Sequence, residues 1–145
     1  MRIVAQRVAQ ASVSVGGITH GRCGRGLAIL LGIATGDGVE DAVRLAGRVA
    51  RLRVFENDEG RFDRSLVDVG GGALVVSQFT LIADTSKGNR PSFTAAAPLD
   101  IAEPLYERFC DVLREHGIHV ETGVFGARME LTLVNDGPVT IILDT

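Results

Sequence analysis

The chain predicts a single α/β domain dominated by β-structure with two main helices, and three observations carry that expectation. Its 145 residues suit one domain spanning 1–145, because two halves would each be too small to bury a good core. Period-two and continuous apolar runs recur along the whole chain, as strands require. Only two segments switch to helical spacing.

Ile3 to Val8 and Ala11 to Val15 alternate, and Gly16-Gly17 before Ile18 is a tight-turn signal, so an N-terminal hairpin is expected. Leu27 to Ile33 is continuously apolar, as in a central strand covered on both faces. Val39, Ala42, Val43, Ala46, Val49, Ala50 and Leu52 then follow helical spacing, with Asp37-x-x-Glu40 as the expected capping box. Arg53 to Phe55, a turn at Asn57 to Gly60 and the glycines 70–72 lead to Ala73 to Ile82, which reads as a second long buried strand. Ala83 to Pro98 has the Gly, Asn, Pro and Ser content of an ordered loop. A second helix should begin between Ile101 and Glu103, where Pro104 falls in the first turn, and end near His116 with Gly117 as its cap. Strands near Ile118 to Glu121, Arg128 to Val134 and Val139 to Leu143 complete the chain.

Composition narrows the function. At 46% hydrophobic and 23% charged the chain reads as globular rather than disordered. Its longest apolar stretch, Gly26 to Ala34, is far below the roughly 20 residues that a membrane-spanning helix needs. Met1 leads directly into strand-like sequence with no signal-peptide pattern, which predicts a cytoplasmic protein. Cys23 and Cys110 stand far apart, and His20, His116 and His119 are scattered, so neither a metal nor a redox pair is expected. A net charge of −3 gives no global attraction for nucleic acid, and any RNA contact must come from a local patch.

The common catalytic signatures are missing. Ser77 lies outside a G-x-S-x-G elbow, and Gly21, Gly24 and Gly26 lack dinucleotide or P-loop spacing. No acidic pair stands out. An enzyme built from this sequence must therefore use backbone groups, a hydroxyl or the substrate itself.

Three polar segments interrupt the apolar pattern. Ser77-Gln78-Phe79-Thr80 follows a buried strand, as if its end opened onto a polar pocket; a strand simply reaching the surface would give the same composition. Lys87-Gly88-Asn89-Arg90-Pro91-Ser92-Phe93 sets two cations in the following loop, suited either to phosphate or ribose or to plain solvation. Asn135-Asp136-Gly137-Pro138-Val139-Thr140 separates two apolar strands. It suits a hairpin turn, but Gly-Pro also adopts a cis bond at small cost, which would present a rigid tip with two carbonyl oxygens.

In order and spacing these segments resemble the signatures of the D-aminoacyl-tRNA deacylases, and Gln6-Arg7-Val8 with Ala11-Ser12-Val13 is similar to that family's opening. The resemblance covers the whole chain; Cys23, where an aliphatic residue is expected, is a minor departure. It implies a mixed, barrel-like sheet, a homodimer, no cofactor, no membrane and no DNA partner, and the 3′ end of D-aminoacyl-tRNA as substrate. Gly137-Pro138 of one subunit, expected cis, would enter the other's site at Ser77 to Thr80. Its carbonyls would meet the substrate's amino group and exclude an L side chain, while achiral glycine, as on glycyl-tRNA(Ala), would pass. Arg7 resembles the residue that holds that loop, and Gln78 and Phe79 those that line the adenosine end. Backbone N–H groups would bind the oxyanion. Nothing nearby in sequence deprotonates Thr80, so it is expected to position water or substrate, with the terminal 2′-OH assisting. Ser77 orients the strand end, Lys87 and Arg90 are candidate RNA contacts, and Met129 is a candidate pocket wall or core residue. Two rivals remain: an L-specific editing domain of the kind fused to some threonyl-tRNA synthetases, and a catalytically silent RNA-binding module.

Overall fold

The computed structural model describes all residues, Met1–Thr145. Its strands are β1 (Arg2–Val15), β2 (Ile18–Cys23), β3 (Gly26–Gly32), β4 (Phe55–Glu56), β5 (Phe62–Arg64), β6 (Gly72–Ser77), β7 (His119–Thr122) and β8 (Glu130–Asp144); its helices are α1 (Val39–Ala50) and α2 (Leu99–Glu115). The main sheet has the order β2-β1-β3-β6-β7, with β8 along the other edge of β1, and β4 and β5 form a separate small hairpin. β3, β6 and β7 run parallel to one another, and β1 is antiparallel to β2, β3 and β8. β2 curls round towards β7, so closely that a Cβ on Gly21 would stand 2.4 Å from the Thr122 carbonyl oxygen. The sheet is thus nearly closed, as the barrel-like expectation has it.

The N-terminal hairpin forms as expected. Gly16 and Gly17, at φ 56° and 82°, adopt the paired positive angles that a tight hairpin turn needs and that only glycine takes without penalty. The two alternating segments before it join into one strand, with pairing irregularities opposite β8 on either side of Val8 and opposite β2 between Val13 and Ser14.

β3 and β6 are apolar on both faces because each face meets a different core. Leu27, Ile29, Leu31, Ala73 and Val75 pack with α1 and α2. Ala28, Leu74 and Val76 pack with Val8, Ala11, Val13 and Cys23 inside the curl of the sheet. Burial of this kind, at roughly 25 cal/mol per Å² of apolar surface, is what holds the domain together.

Four expected boundaries are corrected. The second long strand stops at Ser77, five residues early, and Phe79–Ile82 is a 3₁₀ helix. Its chain folds back over Gly32, where a Cβ would meet the Gln78 carbonyl oxygen and the Leu81 Cβ, each at 2.9 Å. Helix α2 begins at Leu99, with the Ile101 and Ala102 N–H groups donating to the Pro98 carbonyl, so Pro104 sits in the second turn. The carbonyl it leaves without a donor belongs to exposed Asp100, which water can reach. The α1 cap is shifted by one residue: Asp41 accepts from the Gly38 N–H at 2.9 Å. Asp37 instead receives the Met1 ammonium and the Ala34 N–H, each at 2.6 Å.

The last correction matters most for function. The two expected C-terminal strands are one strand, β8, and both of its halves pair with β1 in the same direction. That excludes a hairpin turn at Asn135 to Thr140. Between the pairs Val8–Asn135 and Gln6–Thr140, β1 spends one residue while β8 spends four, Asp136 to Val139, so these four are extruded as a loop. The Gly137-Pro138 bond in it is cis.

Candidate active site

A cavity of about 470 Å³ opens where the parallel strands β3 and β6 end, the place where α/β sheets commonly bind ligands. Leu31, Ile33, Val76 and Ser77 form its floor, Gln78 and Phe79 its rim, and Leu99 and Ala102 of α2 one wall. Phe125, Met129 and Leu131 close the other side. Twelve of its fifteen lining residues are hydrophobic, so it suits a flat or apolar group held by few polar contacts. Behind it, the Tyr106 hydroxyl donates to the Val75 carbonyl at 2.7 Å and fixes α2 against β6.

Of the residues singled out in the sequence, the structure brings Ser77, Gln78, Phe79 and Met129 together here. The turn into the 3₁₀ helix aims them. The Gln78 N–H still donates to the Leu31 carbonyl at 2.8 Å, as a last sheet bond, and the next residues leave the sheet. Phe79 and Thr80 open the helix, so their N–H groups have no acceptor within it. Phe79 is 56% exposed for an aromatic ring, which leaves its surface free for a ligand.

Thr80 lies outside the cavity lining, and its hydroxyl accepts a hydrogen bond from the Gln78 side-chain amide. That partner is a neutral donor and cannot take a proton from the threonine.

Lys87 and Arg90 are exposed in a loop closed by paired backbone bonds between Asp84 and Ser92, of 2.8 and 2.9 Å. Neither has an acidic partner within 4.0 Å. Phe93 at the loop's end meets Phe79 edge to face, with ring centroids 5.1 Å apart, and so ties the cationic loop to the cavity rim.

Arg7, Gly137 and Pro138 form a second constellation away from the cavity. Leu131 lines the cavity, but the extruded loop begins only after Asn135, about 13 Å further along the strand. Gly137 has φ 133°, and a Cβ there would stand 2.7 Å from Val139 Cγ2, so glycine is required for both angle and space. Arg7 is buried, and its Nε donates to the Asp136 carbonyl at 3.1 Å. Asn135 Oδ1 accepts from the Val139 N–H at 3.1 Å and braces the loop from its other end.

Leu99, Phe125 and Leu131 were not singled out from sequence. In a string of letters they look like core residues, and only their placement around a void distinguishes them. Both cysteines are buried, and burial raises both thiols, Cys110 to about 11. No group of three His, Cys, Asp or Glu side chains is placed to hold a metal ion, and no helix is long and apolar enough to cross a membrane.

Fold and site together define a class: a small α/β domain with an apolar cavity at the ends of parallel strands, presenting backbone donors and a hydroxyl. The chain belongs to the D-Tyr-tRNA(Tyr) deacylase family, a family of hydrolases, whose model matches residues 4–144. It is 59% identical over 145 residues to the D-aminoacyl-tRNA deacylase of Roseiflexus sp. (strain RS-1), covering 100% of this chain and 94% of that one. It is 56% identical to that of Thermus aquaticus, covering 100% and 95%. A solved structure named c-Myc DNA Unwinding Element Binding Protein superposes with a TM-score of 0.93 at 40% identity, over 100% of this chain and 99% of that one. A second, described as a probable eukaryotic D-amino acid tRNA deacylase, gives 0.84 at 21% identity over 99% and 98%, a likeness of fold.

Proposed function

We propose that this chain hydrolyses the ester joining a D-amino acid to the terminal ribose of tRNA, as a homodimer in the cytoplasm, where that substrate is made. Family membership supports the reaction. The observation that carries the chiral reading is the extruded Gly137-Pro138 loop, held by Arg7 and standing apart from its own chain's cavity. A rigid tip that cannot serve its own cavity suits the cavity of a second subunit.

In this reading Phe79 and Gln78 hold the terminal adenosine, while the N–H groups of Phe79 and Thr80 stabilise the oxyanion. Ser77 sets the strand end, and Met129 is a wall. Lys87 and Arg90 meet backbone phosphates at the rim. Water, positioned by Thr80 and assisted by the ribose 2′-OH, attacks the ester carbonyl. The ester C–O bond then breaks, the ribose oxygen takes up the proton that the water gives up, and the free amino acid and tRNA leave. The partner's Gly137-Pro138 carbonyls bind the α-amino group and occupy the space an L side chain needs, so glycine passes and L-residues do not.

The test is hydrolysis of D-Tyr-tRNA, L-Tyr-tRNA and Gly-tRNA side by side. Cleavage of the D and glycyl esters with the L ester untouched is expected. Cleavage of none would leave a silent RNA-binding module, and cleavage of the L ester alone would favour the synthetase-type editing domain. Because one similar structure is named for DNA binding, a short DNA duplex belongs in the assay as competitor. A duplex carries no aminoacyl ester at a free 3′ end for the cavity to hold, so it should not inhibit hydrolysis.

A further inference from the structure

The geometry points to the β4–β5 hairpin as a positioning element for chiral selection, acting through Arg7 on the Gly137-Pro138 loop, with Phe62 and Glu56 as its working residues. The inference rests on the proposed reading of that loop as the chirality gauge. It adds a part of the molecule that lies outside the cavity, with Phe55 and Glu56 of β4 sharing a small surface pocket with Asp136 and Gly137 of the loop.

Arg7 stands between two structures. On one side its Nε donates to the Asp136 carbonyl at 3.1 Å and lies 3.3 Å from the Asp136 carboxylate. A Cβ on Gly137 would come 3.2 Å from its Nη2, so the guanidinium lies directly against the loop backbone. On the other side every contact comes from the hairpin or the residue leading into it. Nη1 donates to the Val54 carbonyl at 2.7 Å, Nη2 is 3.6 Å from Glu56, and the guanidinium carbon is 5.5 Å from the Phe62 ring centroid.

A guanidinium is a planar fork, so whatever fixes its plane also fixes the direction of the bond it donates to the loop. Val54 fixes one nitrogen. The Phe62 face and the Glu56 charge restrict rotation about the remaining direction. Phe62 is 53% exposed, so its ring is not there to fill the core, and covering Arg7 accounts for its placement. Removing it leaves both of Arg7's backbone acceptors in place but frees the plane, and the loop tip moves with it.

The experiment uses the full chain with Phe62→Ala, Phe62→Tyr and Glu56→Gln, and reads two quantities. The first is the ratio of kcat/KM for D-Tyr-tRNA over L-Tyr-tRNA. Phe62→Ala should lower it by about fivefold through faster L hydrolysis, with the D rate held within about twofold, as loss of one cation–π contact allows. Phe62→Tyr should restore the ratio, and Glu56→Gln should lower it by less. The second is amide hydrogen exchange at Gly137 and Val139, expected to rise in Phe62→Ala while the amides of β3 keep their protection. An unchanged ratio with unchanged exchange would overturn the inference. So would exchange that rises equally in β3, which means general loosening, or a shift in elution volume, which would place Phe62 in a subunit contact instead. If the wild type hydrolysed D and L esters alike, the chirality reading would fail, and exchange at Gly137 and Val139 would still decide whether the hairpin holds the loop.

Discussion

Thr80 shows how much one hydrogen bond decides. A threonine hydroxyl becomes a nucleophile only if something accepts its proton, and here its partner is the Gln78 amide, which donates. Thr80→Ala should therefore lower kcat by less than about tenfold, because positioning is lost and the reaction path is kept. Single-turnover hydrolysis of D-Tyr-tRNA measures this; a drop of about 10⁴-fold or more would make the hydroxyl the attacking group. Arg7 makes the complementary point. Its type was legible as a candidate loop holder, whereas its partners Val54, Glu56 and Phe62, some 50 residues away, were not.

Among the elements, the parallel pair β3–β6 sets where the cavity opens, and its start is the least tolerant place in the fold. A Cβ on Gly26 would lie 1.9 Å from the Gly72 carbonyl oxygen, a clash with backbone that no side-chain movement relieves. Gly26→Ala should destabilise the domain by about 3 kcal/mol or more in urea denaturation, while Gly24→Ala, with open space around it, should change stability by less than about 0.5 kcal/mol. Equal effects would mean that the pairing can shift to make room. The 3₁₀ helix Phe79–Ile82 depends on the same economy at Gly32, since a missing side chain there lets the chain leave the sheet and turn its N–H groups outward.

The whole molecule responds to pH through groups far from the cavity. Arg53 holds the Asp63 carboxyl below the ordinary 3.8, the Ser65 N–H does the same for Asp68, and the Arg2 guanidinium for Asp144. The unfolded chain binds protons at these groups before the folded one does. Their contribution is therefore complete above 3.8 and is lost as pH falls through the lowered folded values. At the alkaline end the sign reverses. Burial raises Cys110 from 9.0 to about 11, so the unfolded chain loses its proton first and stability declines as pH rises from 9.0 towards 11. Thermal denaturation should show a plateau between these limits, and a slope near neutral pH would mean that another group titrates differently in the folded and unfolded chain.

Assembly is the other property of this scale. β8 pairs along one edge only, leaving a long open strand edge with Val134 and Ile142 exposed, a feature that proteins usually cover. If a second copy supplies the Gly137-Pro138 tip, D-over-L discrimination should decline as the protein is diluted below its dimerisation constant, measured beside sedimentation velocity. Discrimination that persists in a monomer would place the gauge within one chain.

Ser77 to Thr80 became a candidate site only through the resemblance to a family; by periodicity and turn chemistry alone the sequence determined the fold class, the N-terminal glycine hairpin, the doubly buried β3 and both helices. Each of these elements is written in local periodicity or turn chemistry, which neighbouring residues carry. Tertiary structure alone decided that Asn135 to Thr140 is an extruded loop rather than a hairpin turn, because both flanking segments pair with β1, more than a hundred residues earlier. It also decided that Leu99, Phe125 and Leu131 face a void rather than a core, and that Arg7 is gripped by the β4–β5 hairpin. Those outcomes depend on which distant surfaces meet, and no local pattern of residue types encodes that.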